Sequence, residues 1–380
     1  MTQEAARDGR STDADRFAFL DGIRGIAALF VMTRHTRAYW PFEFYRSYLA
    51  VDLFFILSGF VIAHAYDKRI ATKRVSIGGF AASRIIRLYP MYFLSVVVSA
   101  LVLFAQLLFF GAHPAASISN ILLMIVFTFA FLPSHFLAGD YHMFPLNYPY
   151  WSLFFELVIN AVYATIHRYL SAAVLMLIIV ISFAYTARSA IKRGNLDTGF
   201  IWTLGMFATG VMRTALGFFM GVFLYRFRAT LSKWLIRRLS PWFGVLVVVA
   251  VLYSESAEGL NPLVDMLCVG VLFPIAVLIA ANSRTSKLES ILLWLGSASY
   301  PIYVLHQPVG ALIRNIFGAR IELYAPWSGC LLAVFLCWLS IQLERYYDIP
   351  IRQRLSAMVR KRRTQRAAVG AAGAATSSRD

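Results

Sequence analysis

Four ionisable residues stand inside apolar stretches of this chain: His35, Asp52, Glu156 and His306. An imidazole can take a proton from an alcohol as that alcohol attacks a carbonyl. A carboxylate beside it would fix the tautomer and stabilise the imidazolium. His35 with Asp52 or Glu156 meets that requirement. Two cations complete the pattern. Arg84 and Arg87 lie three apart, hence on one face if helical, and paired guanidinium groups bind phosphate oxygens bidentately.

The run Phe19–His35 carries Asp21, Arg24, Arg34 and His35 in a stretch long enough to enter a membrane. An Arg at the centre of a membrane segment costs about 2.5–3.5 kcal/mol on insertion scales. Arg24 and His35 are eleven steps apart, which at about 100° per residue returns to within about 20° of the same face. Both would line one groove, about 16 Å apart along the helix. A plainer reading also stands, with Arg24 snorkelling to one interface and His35 in the other. The remaining residues have plain readings too. Arg84 and Arg87 suit cytoplasmic anchors, Asp52 a helix cap, Glu156 the partner of a buried base, and His306 a packed histidine.

The elements that must position these residues are membrane helices. Of 380 residues, 59% are hydrophobic and only 14% charged, where soluble domains average about 25% charged. Apolar blocks near 20 residues long predict an all-α, polytopic membrane bundle. Ten spans are expected, near 17–38, 48–66, 91–110, 149–167, 170–187, 213–227, 242–256, 262–281, 291–314 and 325–344. A basic loop over 67–90 joins the second and third. The apolar stretch 118–132 is short. If it crossed the membrane, Arg226, Arg228, Lys233, Arg237 and Arg238 would fall outside, against the positive-inside bias. It is therefore expected to lie in the interface, with both termini cytoplasmic. Residues 1–16 are read as a disordered cytoplasmic tail, 17–345 as the membrane domain, and 346–380 as a basic, largely disordered cytoplasmic tail.

The net charge of +17 follows those loops and the tail, and does not indicate nucleic acid. Cys268, Cys330 and Cys337 lie in apolar runs without metal-ligand spacing, so neither a metal nor a disulfide framework is expected. No cleavable leader is expected either.

Six pieces in order carry a resemblance: Leu20-Asp-Gly-Ile-Arg24 with His35; Val51-Asp-Leu-Phe-Phe-Ile-Leu-Ser-Gly-Phe60; Arg84-Ile-Ile-Arg87-Leu-Tyr-Pro90; Trp151-Ser-Leu-Phe-Phe-Glu156; Gly217-Phe-Phe-Met-Gly221; and Leu295-Gly-Ser-Ala-Ser-Tyr300 leading to His306. Over residues 17 to 345 the chain resembles the acyltransferase-3 family of membrane O-acyltransferases, which modify exopolysaccharides, lipopolysaccharides and related glycans. The resemblance implies His35 as the catalytic base and Arg24 as its basic partner. It implies Arg84 and Arg87 as the pair linked to acyl-CoA, with acetyl-CoA the expected donor and no metal. Asp52 and Glu156 match positions of the pattern, and Tyr300 and His306 are expected at the substrate. The acceptor would be a sugar hydroxyl of a glycan or glycolipid, and the location a bacterial inner or plasma membrane.

Two departures stand out, because Leu157 and Gln307 replace an acidic and an aromatic residue that family members often carry there. No appended hydrolase-like domain is expected after the short tail, so the bundle would act alone or pass its acyl group to a partner protein of glycan assembly. Succinyl or longer acyl groups and a macrolide-type acceptor stay open. So do a glycan or lipid transporter, and a non-catalytic member of a glycan-assembly complex.

Overall fold

The computed structural model describes residues 17–111, 116–135, 140–233, 239–255, 259–282, 288–361 and 365. The described chain is helical, with one isolated antiparallel bridge between His142 and Ile201. The helices are α1 (Ala18–His35), α2 (Ala50–Ala71), α3 (Ile77–Phe109), α4 (Ile118–Phe129), α5 (Tyr150–Ile166), α6 (Ala172–Arg193), α7 (Leu204–Leu231), α8 (Pro241–Tyr253), α9 (Asn261–Leu267), α10 (Phe273–Ala281), α11 (Glu289–Phe317), α12 (Arg320–Leu323) and α13 (Trp327–Leu343). A π turn over Cys268–Leu272 joins α9 to α10 in one rod.

Six rods are long and apolar enough to cross a membrane: Ser47–Ala71, Ile77–Phe109, Ala172–Arg193, Leu204–Leu231, Asn261–Ala281 and Trp327–Lys361. Three of the ten expected spans that miss this standard, α1, α5 and α11, carry most of the chemistry. α1 holds Asp21, Arg24 and Arg34, α5 is 17 residues long, and α11 is diluted by serines, tyrosines, prolines, His306 and Gln307. Their polarity is tolerable because it faces the bundle interior. The fourth, α8, has 13 residues. α4 has 12 residues, about 18 Å of helix and too short for a bilayer core of about 30 Å.

Several boundaries differ from expectation, and two of the differences bear on the site. The basic segment over 67–90 is a loop only over 72–76, because α2 runs to Ala71 and the Ser76 side chain accepts the Gly79 N–H at 3.1 Å and caps α3. Such a cap satisfies a donor that the first turn leaves orphaned. Arg84 and Arg87 therefore sit on a rigid helix. At the other end, α13 runs on through a π turn at Glu344–Asp348 to Lys361. Residues 346–361 are thus helical, where a largely disordered tail was expected. Arg352 holds Asp348 at 2.9 Å across one turn of that helix. The expected N-terminal tail, 1–16, lies outside the described residues, as does most of the chain beyond Lys361.

Lipid tails give apolar helices no hydrophobic reason to associate, so close backbone approach has to do it. α1 packs on α11 where Gly22 and Gly25 meet Leu292 and Leu295, and where Gly296 meets Asp21. α2 packs on α7 through Gly59, Gly217 and Gly221. The Gly217-x-x-x-Gly221 stripe lets the two backbones touch: a Cβ on Gly221 would stand 2.6 Å from the Phe60 nitrogen. α1, α2, α5 and α11 surround the polar interior, and α7 backs α2.

Candidate active site

The polar interior is two cavities placed end to end. The first, of about 270 Å³, is lined among others by Arg34, His35, Tyr48, His142, Trp151 and Arg213. The second, of about 160 Å³, is lined among others by Arg24, Ser58, Arg84, Arg87, Glu156 and Tyr300. α1, α2 and α5 serve both. Arg24 faces the second cavity and His35 the first, so the stripe read from their spacing runs between two chambers rather than along one groove. Tyr303 stands at the partition. Its ring meets Phe54 edge-on at 5.4 Å and lies 6.2 Å from the His306 ring.

His35 closes α1 and His306 sits fully buried in α11. His306 Nε2 lies 3.1 Å from His35 Nδ1. Each Nδ1 also lies 2.9 Å from the carbonyl one turn back, Val31 O for His35 and Ile302 O for His306. A carbonyl oxygen only accepts, so each Nδ1 carries a proton. The single His35 Nδ1–H is then shared between Val31 O and His306 Nε2, both acceptors, and His35 Nε2 is left with a free lone pair. Among the described residues it has no hydrogen-bond partner. That is the protonation pattern of a general base.

Neither expected carboxylate touches His35. Asp52 is fully buried and holds Arg213 through two hydrogen bonds, of 3.1 and 2.5 Å. Arg213 also donates to Thr198 O and stacks over Trp151. Asp52 is not a helix cap either, since no side chain caps α2. Glu156 lies further along α5 than Trp151, by about 7.5 Å at 1.5 Å per residue, which carries it from the first cavity into the second. There its Oε1 accepts from Ser58 at 2.8 Å and Arg84 at 3.0 Å. His35 is backed by a second imidazole, and the carboxylates pair with arginines.

The second cavity has an anion-binding character. Arg84 pairs with Glu156, Arg24 with Asp21 at 3.1 Å, and Arg87 with Asp348 at 3.6 Å. Arg84 Nε is buried with no acceptor among the described residues, and an orphaned guanidinium donor is costly unless a ligand oxygen meets it. Tyr300 donates to Leu88 O at 2.6 Å and lies under the Arg87 guanidinium. Tyr303 and Ser152 share a hydrogen bond of 2.6 Å.

Residues 17–342 match the family model described as an acyltransferase domain. The chain belongs to the acyltransferase-3 family. Part of it is also 42% identical, over 157 residues, to "Protein 2 in picA locus" of Rhizobium radiobacter, an alignment covering 40% of this chain and 82% of that protein. No solved structure matches. Family membership and the apolar helices make this a membrane acyltransferase.

Several functional neighbours went unread in the sequence. Arg213 and Asp265 are charges inside expected spans, and that alone was a usable signal. Asp265 is fully buried and accepts from Arg46 at 3.0 Å, Tyr48 at 2.8 Å and the Leu196 N–H at 2.9 Å, tying down one wall of the first cavity. Arg34 also lines that cavity and pairs with Asp197. Asp348 was placed in a tail. Gln307, one of the departures, accepts the Tyr148 N–H at 3.0 Å and so pins the loop before α5 beside His306.

Proposed function

We propose that this acyltransferase moves an acetyl group from acetyl-CoA to a sugar hydroxyl of a cell-surface or exported glycan or glycolipid, with His35 as general base. The observation that carries this reading is the free Nε2 of His35, in a cavity that shares α1, α2 and α5 with one holding three arginines. The arginine cavity is the donor side. Its volume suits the acyl thioester end of the donor and not a nucleotide, which would remain outside near Arg87 and the α13 extension.

The acceptor hydroxyl enters the first cavity and gives its proton to His35 Nε2. Its oxygen attacks the thioester carbonyl carbon, and the C–S bond breaks. The leaving thiolate takes the proton from the imidazolium. Meanwhile His306 Nε2 accepts from His35 Nδ1 and spreads the imidazolium charge, the task a carboxylate performs in hydrolase triads. The chain's own groups are sufficient for these steps.

The topology belongs to the same proposal. Ten helices span a bacterial inner membrane, with α4 in the interface and both termini cytoplasmic. The donor cavity then opens toward the cytoplasm, where acetyl-CoA is made. The relative named for a picA locus comes from Rhizobium radiobacter, which fits a bacterial envelope setting.

The test is label transfer from radiolabelled acetyl-CoA in membranes, comparing wild type with His35→Ala at matched expression. Label entering glycan or glycolipid with wild type and vanishing with the variant is the expected result. Label persisting in the variant removes His35 as the base. No transfer from wild type in the presence of host glycans rejects acetyl-CoA as donor and favours a different acyl group or a transporter.

A further inference from the structure

A second oriented imidazole lines the cavity of His35, and the mechanism above does not use it. His142, in the loop before α5, places Nδ1 2.5 Å from Asp140 Oδ1. The same carboxylate oxygen accepts the His142 backbone N–H at 2.8 Å, so it is fixed in place. The ring stacks on two others, 4.1 Å from the Tyr148 centroid at a tilt of 27° and 5.6 Å from that of Phe200 at 8°. The backbone is pinned as well. Met143 N–H donates to Phe200 O at 2.9 Å, and Trp202 N–H to Tyr141 O at 2.7 Å.

This is a built feature. A carboxylate at Nδ1 fixes the tautomer with its proton there and raises the electron density at Nε2. Nε2 has no hydrogen-bond partner among the described residues, and the side chain is about one-third exposed (32%). The cavity therefore presents two imidazole nitrogens that can only accept, one on His35 and one on His142. A molecule that satisfies both must bring two donors. His142 is not the base, because the link to the donor cavity runs from Tyr303 to His306 and from His306 to His35, and no contact among the described residues joins His142 to either histidine.

We infer that His142, oriented by Asp140, binds the acceptor through a second hydroxyl, distinct from the one that is acylated, so that the enzyme selects a polyhydroxylated acceptor. This rests on the proposed reading of the first cavity as the acceptor side. His142 is a positioning residue for the acceptor, and Asp140 acts through it.

The experiment is steady-state transfer in detergent-solubilised full-length enzyme, with acetyl-CoA as donor and a titrated, delipidated glycan extract of the host envelope as acceptor. His142→Ala should raise the acceptor concentration for half-maximal rate about tenfold or more, the size of one lost good hydrogen bond. The donor KM and the rate at saturating acceptor should stay within about twofold. Asp140→Asn, which keeps the shape and weakens the orienting bond, should move the same parameter the same way by a smaller factor. Unchanged acceptor dependence in both variants overturns the inference and leaves the His35 mechanism standing. Equal loss in donor KM, maximal rate and thermal stability also overturns it, because it makes His142 a structural residue. Absence of transfer by wild type removes the reading on which the inference stands, and the inference with it.

Discussion

His306 occupies the place at His35 where a carboxylate was expected, with its Nε2 3.1 Å from His35 Nδ1. Its own Nδ1 is committed to Ile302 O. A neutral acceptor thus backs His35 inside a helical bundle. A buried carboxylate there would need a compensating charge, and the two near the site already have one, Arg213 for Asp52 and Arg84 for Glu156. If His35 is the proposed base, it shuttles its proton without a fixed anion at its back.

This predicts unequal and non-additive effects. His35→Ala should lower the rate at saturating substrates by about 10²–10⁴, the usual range for general-base loss. His306→Ala should cost less, about tenfold, since the base survives with its Val31 contact. In the His35→Ala background, His306→Ala should cost nothing further, because the two act as a unit. Single-turnover rates of the four proteins check this. Additive losses would separate the two imidazoles.

The donor side gives the opposite split. Arg84→Lys keeps a charge but loses the fork that meets both Glu156 and a ligand oxygen. The acetyl-CoA KM should rise about tenfold while the acceptor KM stays put. Glu156→Gln releases the same guanidinium from its 3.0 Å partner and should also act on the donor KM, by a smaller factor. A selective rise in acceptor KM with either variant would place Glu156 on the wrong cavity.

Much of this site was legible before any coordinates. The eleven-residue step from Arg24 to His35 marks two residues of one helix stripe, and each does line a cavity. The Arg84-x-x-Arg87 pair and Glu156 fall together on the second cavity. Depth was harder. Glu156 and Trp151 are five residues apart, and a span boundary misplaced by one turn decides which cavity a residue joins. Pairings across helices were harder still. Arg213 meets Asp52 across 161 positions and Arg46 meets Asp265 across 219, and only the packing order of the helices brings them together. The π turn that carries α13 past Asp348 also leaves no mark in composition, since the basic residues after it read equally well as a tail.

The Asp52–Arg213 pair is fully buried on both sides, so its first consequence is stability. Removing one partner of such a pair strands a charge and costs about 3–5 kcal/mol. Asp52→Leu should therefore lower the midpoint of thermal unfolding in detergent sharply. Asp52→Leu with Arg213→Met should recover most of that loss, because packed apolar residues often replace a buried ion pair without penalty. The double variant should still transfer poorly, since Arg213 lines the cavity of His35 and stacks on Trp151. A double variant as unstable as the single one would argue against the pair as a unit.

Gly221 offers a test of how the two cavities are held in register. A side chain there would run into the Ile56 carbonyl and the Phe60 nitrogen, forcing α2 away from α7. Overpacking of this kind costs about 1–3 kcal/mol, so Gly221→Ala should fold but unfold at lower temperature, and Gly221→Leu should fail to accumulate. α2 carries Val51 to the first cavity and Ser58 to the second. A shift of that helix must disturb both, so Gly221→Ala should raise the donor and acceptor KM values together. That signature differs from Arg84→Lys, which acts on the donor alone, and from His142→Ala, which acts on the acceptor alone. If Gly221→Ala moved only one of the two, α2 would not be the element that couples the chambers, and the register would have to be set by α1 against α11, where Gly25 meets Leu295.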